Sequence, residues 1–202
     1  MKLKTIFNNK RIIGLAGIKN SGKTNNIVSL IVDFRLTDKK TPIYVYGMPD
    51  IVNKLLTEKL GCKEISSLDQ LVFKKDCIII LDEFQKLKLN VPKYKDELNE
   101  LVDFVYHNNI YLLLSSPNIR EFNSVIGGVV EDWVLKSVRI DQCINGSQLK
   151  NVVEKYKGRY KSLKSISVAV NKLLLINDEH EKLIDCEYIS SADNKATNKV
   201  IF

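Results

Sequence analysis

Short apolar runs alternate with stretches of helical periodicity along most of the chain. Arg11 to Ala16 reads as a short buried strand, and Gly22 to Phe34 then places Ile27, Leu30, Ile31 and Phe34 at helical spacing. Ile43 to Tyr46 is a second strand, bounded by Pro42 and by Gly47 and Pro49, and Asp50 to Leu60 is a helix stopped by Gly61. A third strand, Cys77 to Leu81, runs straight into Asp82 and Glu83. Asp96 to Tyr106 predicts an amphipathic helix with Leu98, Leu101, Val102 and Val105 on one face. Ile110 to Leu114 is a fourth strand, Asn118 to Ile126 a helix, and Trp133 to Ile140 a fifth strand. Beyond residue 145 the alternation weakens. Gln148 to Tyr156 reads as a helix, and Ser167 to Ile176 and Cys186 to Ile189 as late strands, a hairpin that extends the sheet.

Apolar strands alternating with helices are the pattern of an α/β fold with a mainly parallel central sheet, buried on both faces and flanked by helices. The expected organisation is a single domain over residues 1–202, with its core at 10–145 and a C-terminal extension at 146–202. An apolar fraction of 45% can fill such a core. Cys62, Cys77, Cys143 and Cys186 are widely spread and form no C-x-x-C pair, which argues against a disulfide framework and a zinc site. The longest apolar run, Cys77 to Leu81, is strand-sized and far short of a membrane span. The basic N-terminus leads into no secretory apolar stretch, so the expectation is a cytoplasmic protein with no membrane partner. The net charge of +7 suits a polyanionic partner, and equally a Lys-rich solvated surface.

The strongest chemical signal is Gly17-Ile18-Lys19-Asn20-Ser21-Gly22-Lys23-Thr24, which satisfies G-x-x-x-x-G-K-[ST] between a strand and a helix. Gly17 and Gly22 let the backbone wrap so that successive N–H groups point into one concavity. The helix beginning near Gly22 adds its positive dipole end. Lys23 reaches the β- and γ-phosphates, and the Thr24 hydroxyl is placed to ligate Mg²⁺. The expected ligand is ATP, or a closely related triphosphate, with magnesium. On the third strand, Asp82 would hold the Mg²⁺ directly or through water, and Glu83 would polarise the attacking water. A Glu directly after the metal-binding Asp favours hydrolysis over transfer to a second substrate. Ser115, Ser116 and Asn118 follow the fourth strand, where the ligand crevice of an open α/β sheet lies. One of them could sense the γ-phosphate, or Asn118 could simply cap the next helix. His107 and His180 have no neighbouring nucleophile at a recognisable spacing, and neither is assigned chemistry.

With GIKNSGKT, CIIILDEFQKL and HNNIYLLLSS in this order, the chain resembles the additional-strand, catalytic-glutamate class of P-loop ATPases with a RecA-like core. Within that class it is similar to the HerA/FtsK-like group, which includes viral genome-packaging ATPases and Zot-like phage proteins. The resemblance covers residues 10–140 and continues through EDWVLKSVRID. It implies a homo-oligomeric ring that drives double-stranded DNA into a viral capsid, with a capsid or portal component as partner, in the host cytoplasm or associated with the virion. Packaging relatives often carry Gln where this chain has Ser115 and Ser116. They also use an arginine finger from a neighbouring subunit. Of the five arginines here, Arg11 precedes the first strand and Arg35 follows the first helix, so Arg120 and Arg139 are the candidates.

Between Lys150 and Lys172 lie seven basic residues against one acid, Glu154, with Tyr156 and Tyr160 interleaved. Lys155, Lys157, Arg159 and Lys161 are the candidate contacts to a DNA backbone, with no base-reading element beside them. A solvated surface is the competing reading. Two functional alternatives stand beside the motor. The Asp82-Glu83-Phe84-Gln85 run resembles the D-E-x-Q-F stretch of thymidine kinases, although the zinc-binding cysteine pairs common there are missing. The other is a nucleotide-gated assembly protein with little turnover.

Overall fold

The buried strands assemble into one sheet because each is apolar on both sides. The computed structural model of the chain describes residues 2–71, 74–89, 91–145, 147–156, 165–166, 168–169, 171–176 and 181–186. Its strands are β1 (Ile12–Ala16), β2 (Ile43–Tyr46), β3 (Lys63–Glu64), β4 (Ile78–Leu81), β5 (Tyr111–Ser116), β6 (Asp132–Leu135), β7 (Val138–Arg139), β8 (Ser165–Ile166), β9 (Lys172–Ile176) and β10 (Glu181–Asp185). The helices are α1 (Lys2–Phe7), α2 (Lys23–Arg35), α3 (Asp50–Leu60), α4 (Lys95–His107), α5 (Ser124–Gly127) and α6 (Gln148–Tyr156). Eight strands form a sheet in the order β10-β9-β6-β1-β5-β4-β2-β3. The pairings from β6 through β3 are parallel, and β9 and β10 add as an antiparallel hairpin on β6. β7 and β8 pair separately as a small antiparallel ribbon.

Alternate residues along each strand feed two cores, one on each face. Ile12, Ile79, Leu81, Leu112, Leu114, Trp133 and Leu135 face one layer with Leu98, Leu101 and Val105 of α4 and Leu149 and Val153 of α6. Ile13, Leu15, Ile78, Ile80, Leu113 and Val134 face the other with Leu3 and Ile6 of α1, Ile27, Leu30, Ile31 and Phe34 of α2, and Leu56 and Leu60 of α3. This is the expected α/β architecture, a mainly parallel sheet between helical layers. Among the described residues no helix is long and apolar enough to cross a membrane, and all four cysteines are buried and outside any disulfide.

Several expectations about individual elements need correction. The stretch Asn118 to Ile126 is not one helix but a 3-10 turn, Ile119–Glu121, followed by the short α5. The cause is two asparagine caps. Asn118 Oδ1 accepts from Arg120 N, and Asn123 Oδ1 accepts from Val125 N and Ile126 N, so each asparagine starts a turn of its own. Trp133 to Ile140 is not one strand: β6 ends at Leu135, and the chain leaves the sheet at Lys136 before β7. The first late strand starts at Lys172 rather than Ser167, with 165–166 committed to the β7 ribbon. The second is Glu181–Asp185, ahead of the expected Cys186 to Ile189, of which 187–189 lie outside the described residues. Arg35 belongs to α2 and is buried, its guanidinium donating to the carbonyls of Leu60 (2.9 Å) and Thr41 (2.7 Å), which ties α2 to α3 and to the approach to β2.

Candidate functional site

β1 delivers the chain to the glycine-containing loop, and two backbone bonds with the residues just after β6 hold the junction: Lys136 N donates to Ala16 O (2.9 Å), and Ile18 N donates to Ser137 O (2.8 Å). Space is tight there. A Cβ on Gly17 would lie 2.7 Å from Lys136 Cβ, so the loop can start this close to β6 only with glycine. Asn20 (φ 61°) and Gly22 (φ 89°) take left-handed turns that wrap the loop. α2 then begins at Lys23, with Gly22 as a cap that brings no side-chain hydrogen bond and with no acid in the first turn. That helix start is therefore electropositive.

The loop lines a crevice of about 460 Å³ together with Gly47, Met48, Pro49, Asp50, Asp82, Glu83, Lys86 and Pro117. Strand order explains the convergence. β5 lies between β1 and β4, so the carboxyl ends of β1, β5 and β4 place the loop, Ser115–Ser116 and Asp82–Glu83 side by side. Register does the rest: Ala16 is opposite Ser116, and Leu81 is opposite Leu114.

Lys23 is buried, and its ammonium donates to the carbonyls of Gly17 (2.9 Å) and Ile18 (3.0 Å). Burial pushes its pKa down, and the charge of Asp82 partly restores it. The Thr24 hydroxyl donates to Asp82 Oδ2 at 2.8 Å. Asp82 is itself buried; desolvation raises its pKa, while the Ser115 and Thr24 hydroxyls and the Lys23 charge pull it back. Glu83 adopts a left-handed backbone (φ 57°, ψ 41°) and opens a 3-10 turn, Phe84–Leu87. A non-glycine residue in that region carries about 1–3 kcal/mol of strain, which its neighbours must hold. Phe84, fully buried, does so: its ring meets Phe122 edge-on at 5.1 Å, and Phe122 meets Trp133 at 5.2 Å. Glu83 stays in the crevice, ion-paired to Lys86.

The remaining candidates divide. Ser115 and Ser116 are fully buried; the Ser116 hydroxyl is engaged with Asn118 N and O at 3.1 Å, whereas the Ser115 hydroxyl is turned to Asp82. Asn118 and Arg120 line a second cavity of about 430 Å³ with Ile18, Lys19, Pro117, Ile119 and Gln142, beside the first. Arg139 lies on the β7 ribbon and forks onto Asp141, at 3.0 Å and 2.7 Å. Lys155 lies over the Tyr156 ring, 5.1 Å from its centroid. Lys157, Arg159 and Lys161 lie outside the described residues.

Two features went unnoticed in the sequence. Lys86 lines the crevice, and only its position three residues after Glu83 hints at that. Lys136 is fully buried, its stem against Gly17 and its ammonium donating to the carbonyls of Ala169 and Lys172, each at 2.5 Å. It thereby clamps the approach to β9 onto the base of the loop. Desolvation lowers its pKa to about 8, with Cys186 acting in the opposite direction. Below pH 8 the folded and unfolded chains both hold this proton. Between pH 8 and an ordinary lysine value of about 10.5 only the unfolded chain does, so stability must rise with pH in that window. Urea denaturation of wild type and Lys136→Met should show it: from pH 8 to 10 the difference should move in favour of wild type.

No family model matches the chain, and no curated protein sequence matches it significantly. Solved structures do match it. EssC (ATPases 2 and 3) from Geobacillus thermodenitrificans superposes with a TM-score of 0.57 at 11% identity over 94% of this chain, which spans only 43% of that one. The genome packaging NTPase B204 from Sulfolobus turreted icosahedral virus 2 gives a TM-score of 0.56 in complex with ATPγS, at 15% identity over 89% of this chain and 98% of its own. Its sulfate complex gives 0.60, at 15% identity, over 89% and 97%. At identities this low the likeness is one of fold, and the fold it shows is a mainly parallel α/β sheet flanked by helices.

Proposed function

We propose that the chain is a magnesium-dependent ATPase of the FtsK/HerA kind that drives double-stranded DNA, as a ring of identical subunits, into a viral capsid. The observation that carries the ATPase reading is the meeting of Lys23, Thr24, Asp82 and Glu83 at one crevice, with Thr24 already bonded to Asp82. Lys23 and the loop's backbone N–H groups bind the triphosphate. Thr24 and Asp82 fit a small hard cation, offering two oxygen donors 2.8 Å apart. Among the described residues no cluster of three or more His, Cys, Asp or Glu could hold a metal, so phosphate oxygens would complete the coordination, as suits magnesium. Bound there, the cation supplies positive charge to the phosphates. Glu83 takes a proton from water as the water oxygen bonds to the γ-phosphorus and the bond to the β–γ bridging oxygen breaks, leaving ADP and phosphate. Ser115, whose hydroxyl is turned to Asp82, suits the sensing position better than Ser116, whose hydroxyl is engaged with Asn118.

The motor reading is supported by the likeness in fold to the packaging NTPase B204, over nearly the whole of that protein, and by the net charge of +7. The capsid partner, the host cytoplasm as location and the basic stretch around Lys155 as DNA grip belong to this reading. Turnover measured with and without double-stranded DNA tests it. DNA should stimulate ATP hydrolysis several-fold, less so at high salt. Lys23→Ala should weaken triphosphate binding by about 100-fold and abolish turnover. Turnover indifferent to DNA would remove the motor; turnover undiminished by Lys23→Ala would remove the ATPase.

A further inference from the structure

Two lysines face the acidic end of β4. Lys23 comes from the loop and Lys86 from the 3-10 turn that follows Glu83, and both line the crevice. Lys86 is ion-paired with Glu83, three residues earlier, and its side chain is otherwise 58% exposed, so its ammonium is free to swing. This pairing has a chemical consequence. While it lasts, the ammonium occupies the Glu83 carboxylate, which is then not open to a water in the crevice. A γ-phosphate brings more negative charge into the same crevice than Glu83 carries, and competes for the same ammonium. Neither candidate arginine of the chain lines that crevice: Arg120 borders the neighbouring cavity, and Arg139 is forked onto Asp141.

We propose that Lys86 is a γ-phosphate ligand that exchanges its partner when a triphosphate binds, leaving Glu83 for the phosphate and so freeing the carboxylate to act on water. The inference rests on the ATPase reading above. In it Lys86 does two things with one movement: it adds a positive charge where negative charge develops in the reaction, and it removes the restraint on the base. ADP has no γ-phosphate and leaves Lys86 on Glu83, so the exchange distinguishes substrate from product.

Calorimetric titration with ATPγS and with ADP, both with magnesium, tests this on wild type, Lys86→Met and Lys86→Arg, followed by turnover measurements. Lys86→Met should bind ATPγS about tenfold more weakly while ADP affinity stays within about twofold. Its kcat should fall at least about tenfold. Lys86→Arg should recover most of the ATPγS affinity. Because Lys86 is exposed, thermal midpoints should not move. An unchanged ratio of ATPγS to ADP affinity overturns the assignment, and so does a Lys86→Met protein that turns over faster than wild type, since Lys86 would then only restrain Glu83. The two readings fail separately. ATPγS binding undiminished by Lys23→Ala would sink the phosphate site itself. A loss with Lys23→Ala but none with Lys86→Met would sink the role of Lys86 alone.

Discussion

Glu83→Gln should yield a protein that binds ATP and magnesium at least as tightly as wild type does and turns over about 10²- to 10⁴-fold more slowly. Glutamine keeps the size and the hydrogen-bonding reach of glutamate but cannot accept a proton at neutral pH. The backbone that holds the residue does not depend on its charge: the left-handed conformation at Glu83 and the buried Phe84 beside it are unchanged by the substitution, which removes only the ion pair with Lys86. In the proposed site the loop and Lys86 hold the phosphates and Thr24 and Asp82 the cation, none of them altered by the substitution, so affinity should survive. Calorimetry for binding and a phosphate-release assay for turnover measure the two effects independently. A Glu83→Gln protein with a kcat within about tenfold of wild type would show that another group serves the water. The same experiment separates a motor from a nucleotide-gated assembly protein, whose function would survive the substitution.

Gly47→Ala should destabilise the chain by about 3 kcal/mol, through backbone alone. Gly47 ends β2 with φ 74°, and a Cβ there would run into the carbonyl oxygen of Asp82. That carbonyl cannot move freely, because Asp82 N donates to Tyr46 O at 2.9 Å and Asp82 is buried. A methyl group at Gly47 therefore pushes on the residue that would hold the cation. Gly61 is the matched control. It has a similar φ of 61°, but no described atom lies within 4 Å of its added Cβ, so Gly61→Ala meets only the left-handed penalty, about 1 kcal/mol. Urea denaturation of both variants should separate steric from conformational cost. Equal losses would mean that the contact with Asp82 relaxes at no expense.

Much of the fold can be read from residue spacing where burial is strong. β2 and α3 have the expected bounds, and β1, α2, β4, α4 and β5 lie within two residues of theirs, because an apolar strand between punctuating glycines and prolines has few alternatives. The misreadings have local causes. No element is assigned to the basic N-terminus from its sequence, yet it forms α1 with Leu3, Ile6 and Phe7 all buried. β3 is two charged residues long, and its pairing with β2 leaves no trace in hydropathy. The break after Leu135 depends on what Lys136 and Ser137 touch, which is the loop and the approach to β9, both remote in sequence. For the site, Gly17 to Thr24 and Asp82–Glu83 were legible because their order follows chain direction. The meeting of Lys86 with Glu83 was not, since it depends on a 3-10 turn that no periodicity announces.

The two hydrogen bonds from Lys23 to the carbonyls of Gly17 and Ile18 give the loop a built-in threshold. The ammonium has three N–H donors, so one is left for a phosphate; a ligand that takes more must break one of these bonds, at a cost that is the same whichever ligand arrives. Orthophosphate or a monophosphate must meet it with few contacts of its own. A triphosphate spreads it over the whole cradle and the cation. Selectivity for chain length can therefore arise before any group recognises the base or the sugar, as arithmetic on a fixed entry fee.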